Sequence, residues 1–139
     1  MTNCKLLIDK IIKGEFLSRE DQISEYNEYQ GGKYNSNTGA YEYPALPDNL
    51  IIFWSRYTYE DYQGDGDVWG YNTEKEMFFN VTGSHCSCYG LEGQWDEEYY
   101  TYDEMVAVLE RILSVDYVYD QEKRAAQEAL LKTIKGEEV

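Results

Sequence analysis

A chain of 139 residues has the length of one ordinary domain and is expected to bury about two-thirds of the surface its unfolded form exposes, so no covalent staple is needed. Its 27 acidic against 12 basic residues leave a formal charge of -15, which repels nucleic-acid phosphates and anionic membranes and favours a basic partner. Fifteen tyrosines, four phenylalanines and three tryptophans exclude the composition of an acidic disordered tail and predict a folded domain, 1–139, with a tyrosine-rich acidic face suited to protein recognition.

Residues 3–13, NCKLLIDKIIK, place Cys4, Leu7, Ile8 and Ile11 on one helical stripe, with Gly14 as the stop. On that stripe Cys4 reads as a small buried hydrophobe. Ser18 and Asp21 resemble a capping box for a second, more polar helix that runs toward Tyr29 and ends at Gly31 and Gly32. The stretch from Lys33 to Asp48 mixes turn formers with aromatics and holds both prolines, and it reads as an ordered loop.

Asn49 to Glu60 is rich in β-branched and aromatic residues and predicts a strand, buried on both faces from Leu50 to Trp54. Asp67–Asn72 and Glu76–Thr82 predict two more strands joined by the NTEK turn, and Gln94–Tyr100 a short edge strand. Thr101 and Glu104 form a capping box before a helix whose apolar face is Met105, Val108, Leu109 and Ile112. A last helix, about 120–135, turns Ala125, Ala129, Leu130 and Ile134 inward and stops at Gly136. The order predicts an α+β domain: an antiparallel sheet of three to four strands with helices at both termini packed on it. The odd count of three cysteines and the lack of a charged-then-apolar leader predict a reducing, cytoplasmic setting. The apolar run around Ile51 is far too short to span a bilayer.

One segment concentrates chemistry: GSHCSCYGLEGQW, Gly83–Trp95, holds the only histidine and two of the three cysteines. A catalytic His85–Cys86 dyad has poor geometry, because neighbours in an extended chain point to opposite faces. A metal site fits better. Cys86 and Cys88 lie two apart and share a face, His85 can join them at a turn, and the fourth zinc ligand is a carboxylate, a backbone-held water or Cys4; Asp61, Asp65 and Asp67 in EDYQGDGD are near in the expected sheet, with Asp61 the preferred carboxylate. The alternative is that His85 and the thiols only pack beneath the tyrosines. The stretch DYQGDGDVWGYN loosely follows a calcium loop but lacks its bidentate glutamate, so a Gly-rich hairpin turn is preferred.

The run SHCSCYGLEGQW, preceded by YEDYQGDGDVWGY, resembles small acidic proteins of phages and prophages, over about Asn49–Leu113. Together with small size and acidity, it also looks like phage anti-CRISPR proteins that inhibit the type II effector nuclease, of which at least one is a zinc-containing α/β protein. That resemblance implies a non-enzymatic inhibitor in the host cytoplasm that binds the RNA-guided nuclease, blocks target DNA loading and contains structural zinc. Such a nuclease holds nucleic acid in positive channels, toward which an acidic domain is steered. The expected contact residues are Glu60, Asp65, Asp67, Asp96, Glu97, Glu98, Asp103 and Glu104, from the two runs that mix acids with tyrosines. The alternative is a zinc-binding or redox-sensing phage or bacterial protein with no nucleic-acid-handling partner, its acidity serving solubility.

Overall fold

The computed structural model describes residues 3–60, 63–86, 91, 93–115 and 121–136, apart from the side chains of Asn3, Thr58, Tyr59 and Glu60. Helices α1 (Asn3–Ile12) and α2 (Arg19–Gln30) precede a hairpin of β1 (Lys33–Asn35) and β2 (Ala40–Glu42). Strands β3 (Leu50–Glu60), β4 (Gln63–Asn72), β5 (Met77–His85) and β6 (Glu98–Tyr100) follow, then α3 (Tyr102–Leu113) and α4 (Gln121–Ile134). The four long-range strands form an antiparallel meander in the order β3-β4-β5-β6, and β1-β2 is a separate two-stranded sheet. The architecture is α+β with helices at both termini, as the sequence predicts.

The meander is buried on both faces. On one, Leu7 and Ile11 of α1, Met105 and Leu109 of α3, and Leu130 and Ile134 of α4 pack on Phe53, Trp69, Tyr71 and Phe78. On the other, Tyr26 and Tyr29 of α2 and Leu91 cover Leu50, Ile52, Val68, Phe79 and Val81. The period-2 alternation of strands divides Trp69 and Tyr71 from Val68, and Phe78 from Phe79. A shift of register between Ile52 and Trp54 marks a bulge at Phe53, so that Phe53 and Trp54 both meet the first cluster. Cys4 packs against that cluster too, and burial, with the charge of Asp103, pushes its thiol up from the ordinary value.

Ser18 accepts from the amide of Asp21, and α2 ends at Gly31 with a φ of 73°. The Thr101–Glu104 box is complete: each side chain bonds the other residue's backbone amide. The structure corrects four details. The stretch 33–48 contains the β1-β2 hairpin, closed by an Asn35 side chain that accepts from the Asn37 amide and by Gly39 at a φ of 72°. Strand β4 starts at Gln63, four residues before the expected Asp67, and β5 continues to His85. Ala125 is exposed, because the buried positions of α4 are Gln127, Leu130 and Ile134. Ile112 is exposed as well, leaving Met105 and Leu109 as the buried residues of α3. Among the described residues no helix is long and apolar enough to cross a membrane.

Candidate functional site

The glycines of YQGDGD lie in a strand, not in a turn. Gly64 pairs with His85, and Gly66 with Gly83, across β4 and β5. With no Cβ at these positions, large side chains settle directly on the backbone. A Cβ at Gly64 would lie 2.6 Å from the Tyr57 hydroxyl and against the His85 ring; one at Gly66 would strike the Tyr29 hydroxyl. At Gly83 it would lie 2.9 Å from Leu91 and 3.1 Å from Gln94.

His85 stacks on Tyr57, with centroids 5.7 Å apart and planes 13° from parallel, and its Nε2 is hydrogen-bonded to the Tyr57 hydroxyl. Its Nδ1 lies 2.8 Å from the Cys86 carbonyl oxygen. A carbonyl only accepts, so Nδ1 carries the proton and, in the neutral ring, Nε2 accepts from the phenol. A metal-bound histidine also anchors its far nitrogen on a carbonyl, but metal at Nε2 would have to displace the tyrosine. Of the expected zinc ligands, His85 meets the backbone carbonyl of the exposed Cys86 through Nδ1; Cys88 and Asp61 lie outside the described residues. No group of three or more histidine, cysteine, aspartate or glutamate side chains suited to a metal is assembled among the described residues.

Further along the GSHCSCYGLEGQW segment, the described Gln94 and Trp95 close the fold. Gln94 accepts from the Ser84 amide at 2.9 Å, on the stretch of β5 beyond the residues that β6 pairs. Trp95 meets Tyr26, Tyr29 and Phe79 edge-on, at 4.9, 5.7 and 5.8 Å between centroids.

The acidic residues divide by environment, which corrects part of the expected contact surface. Asp67 is 5% exposed and accepts from Asn80 at 2.7 Å, so it is not offered to a partner. Asp65 is paired internally with Arg56 at 2.9 Å and Lys123 at 3.1 Å. Both stand in an extended strand that cannot wrap a calcium ion. Glu97 is half-buried and accepts from the Trp95 indole at 2.7 Å and from the Tyr99 hydroxyl. Glu104 is exposed but caps α3. Asp96, Glu98 and Asp103 are exposed, and Glu98 accepts from Tyr100 at 2.8 Å. The Glu60 side chain lies outside the described residues.

Burial pushes the Asp67 carboxyl up from its ordinary value, against hydrogen bonds from Asn80 and Gln127 and the charges of Arg56 and Lys123. For Asp65 burial also acts upward, but hydrogen bonds and charge from Arg56 and Lys123 outweigh it and hold the carboxyl low. A carboxyl raised in the folded state binds its proton more tightly there, so stability falls as pH rises through the folded pKa. Asp67→Asn is therefore expected to raise Tm by a few degrees at neutral pH, with the gain closing as pH falls toward 4. Thermal melts across that range check it; a gain that persists at acid pH would contradict the assignment.

The feature missed from sequence is the β1-β2 hairpin, which carries the exposed Tyr34 and Tyr41, next to the exposed Tyr43. Its signal was present: KYN and AYE alternate and are separated by SNTG, a four-residue link ending in glycine. Comparison of the chain with protein-family models, curated proteins and solved structures finds no match.

Proposed function

We propose that the protein is a non-enzymatic binding module whose acidic, tyrosine-bearing surface engages a basic, nucleic-acid-handling protein and keeps nucleic acid from it. One observation carries this reading: in a chain of formal charge -15, acidic side chains remain exposed at the surface, whereas Asp65 and Glu128 are held in ion pairs. Asp96, Glu98 and Asp103 stand exposed beside the β6-α3 junction and supply the steering charge. The same charge disfavours direct nucleic-acid binding.

The choice of a type II effector nuclease as the partner rests on the resemblance carried by Ser84–Trp95 together with small size and acidity. Leu91, Gln94 and Trp95 of that run serve packing and strand closure, so the resemblance speaks first to the fold. The test is target-duplex binding by the guide-loaded nuclease in the presence of the protein. The expected result is loss of DNA binding, relieved by Asp96→Lys/Glu98→Lys/Asp103→Lys; full DNA binding at saturating protein would remove this partner.

Zinc held by His85, Cys86 and Cys88 is a separable part of the proposal. Elemental analysis of untagged protein supports it at about one zinc per chain and removes it if none is found, and neither outcome bears on the acidic surface.

A further inference from the structure

We infer that the cleft between the C-terminal half of α2 and Tyr43, just after β2, receives a lysine or arginine side chain from a basic segment of a partner protein. This rests on the proposed binding of a basic protein and locates a contact for it. The hairpin shares no strand pairing with the four-stranded sheet, and its tyrosines face water: Tyr34, Tyr41 and the adjoining Tyr43 are 60%, 63% and 47% exposed. Tyr34 and Tyr41 are directly opposed across the strands and meet edge-on at 5.4 Å between centroids, and tyrosine offers contact area at a low entropic cost on binding.

A cleft of about 250 Å³ is lined by Ser24, Asn27, Glu28, Gly31, Gly32 and Tyr43. This is below the roughly 300–1,000 Å³ of small-molecule pockets and suits one side chain. Its Tyr43 wall is set by Gly32, where a Cβ would lie 3.0 Å from the tyrosine ring.

Three features of the cleft favour a cation. Tyr43 supplies an aromatic ring to its lining, and Glu28 supplies an exposed carboxylate. The negative end of the α2 dipole also terminates there, at Gly31, with no basic residue in the last turn. The nearest cation in sequence, Lys33, is exposed and stands opposite Glu42, whose carboxylate is taken by Asn35 at 2.7 Å. Charge also selects the occupant. Two copies of a chain at -15 repel each other, and nucleic acid and anionic lipid are repelled in the same way, whereas a basic protein segment is attracted.

The experiment uses the full chain and a fluorescent peptide of alternating arginine and glycine, followed by anisotropy at low salt. Glu28→Gln and Tyr43→Leu alter exposed side chains, and unchanged melting confirms that both variants remain folded. Each is expected to weaken binding about ten-fold, while Asp96→Asn/Glu98→Gln/Asp103→Asn mainly lowers the salt dependence. Amide shifts at Glu28, Gly31 and Gly32 on titration complete the expected result. If the cleft variants bind as tightly as the parent and only the remote acidic variant weakens, the cleft is overturned and the basic-partner reading stands. If the parent does not bind the peptide, the cleft and the general attraction to basic segments are both overturned.

Discussion

Gly70→Ala is expected to destabilise the protein by about 3 kcal/mol, a large share of the roughly 5–15 kcal/mol that holds a domain of this size together. Gly70 stands third from the C-terminal end of β4, opposite Ile52 on one side and Phe79 on the other. The Phe79 ring fills the space its side chain would take, and a Cβ there would also lie 2.6 Å from the Ile51 carbonyl oxygen. Neither neighbour can yield cheaply. Phe79 is fully buried between Trp95 and Tyr99, at 5.8 and 6.4 Å, and the Ile51 carbonyl belongs to β3 just before its bulge. Urea unfolding should show a lower midpoint with an unchanged slope. Phe79→Leu in the Gly70→Ala background should lose less than the sum of the two single changes, because the smaller side chain removes part of the clash. Simple additivity would contradict the packing assigned to this pair.

Gln22→Leu should cost about 2 kcal/mol, although it replaces a polar residue in the interior with an apolar one of similar size. Gln22 is 3% exposed and serves three partners. Its carbonyl accepts from the Ile52 amide at 3.1 Å and from Arg19 at 3.0 Å, and its amide donates to the Leu17 carbonyl at 3.0 Å. β3 is an edge strand, and α2 covers it through these bonds. Arg19 adds bonds to the carbonyls of Leu50 at 2.8 Å and Pro47 at 2.9 Å, tying the approach to β3 to the same helix. With leucine at 22, the Ile52 amide remains buried with its acceptor removed. Hydrogen exchange at Ile52 should accelerate well beyond the global loss of stability; unchanged local protection would show that another group covers the edge.

The legible parts of the fold were those written in apolar periodicity and caps. The stripe of Leu7 and Ile11, the Thr101–Glu104 box and the β-branched run at Leu50 each have a single local solution, and each folds that way. The second helix was harder because its buried residues are Gln22, Tyr26 and Tyr29, which a hydropathy pattern scores as polar. Their burial depends on partners distant in sequence: the Ile52 amide for Gln22, and the glycines of β4 and β5 for Tyr29. The same glycines misled the reading of YQGDGD as a turn, since a glycine that admits a neighbour's ring looks in sequence like one that bends the chain. For the candidate site, sequence marked the acids but could not separate exposed Asp96 and Asp103 from buried Asp67, because that division is made by Asn80 and α4.

The central claim, that exposed negative charge draws this domain onto a basic nucleic-acid-handling protein, is tested most directly by its association rate with the guide-loaded type II effector nuclease across ionic strength. The account predicts fast association that slows steeply between low and physiological salt, with dissociation little changed, and a loss of that salt dependence in Asp96→Lys/Glu98→Lys/Asp103→Lys. Association that is absent at low salt, or present and indifferent to salt, would contradict it.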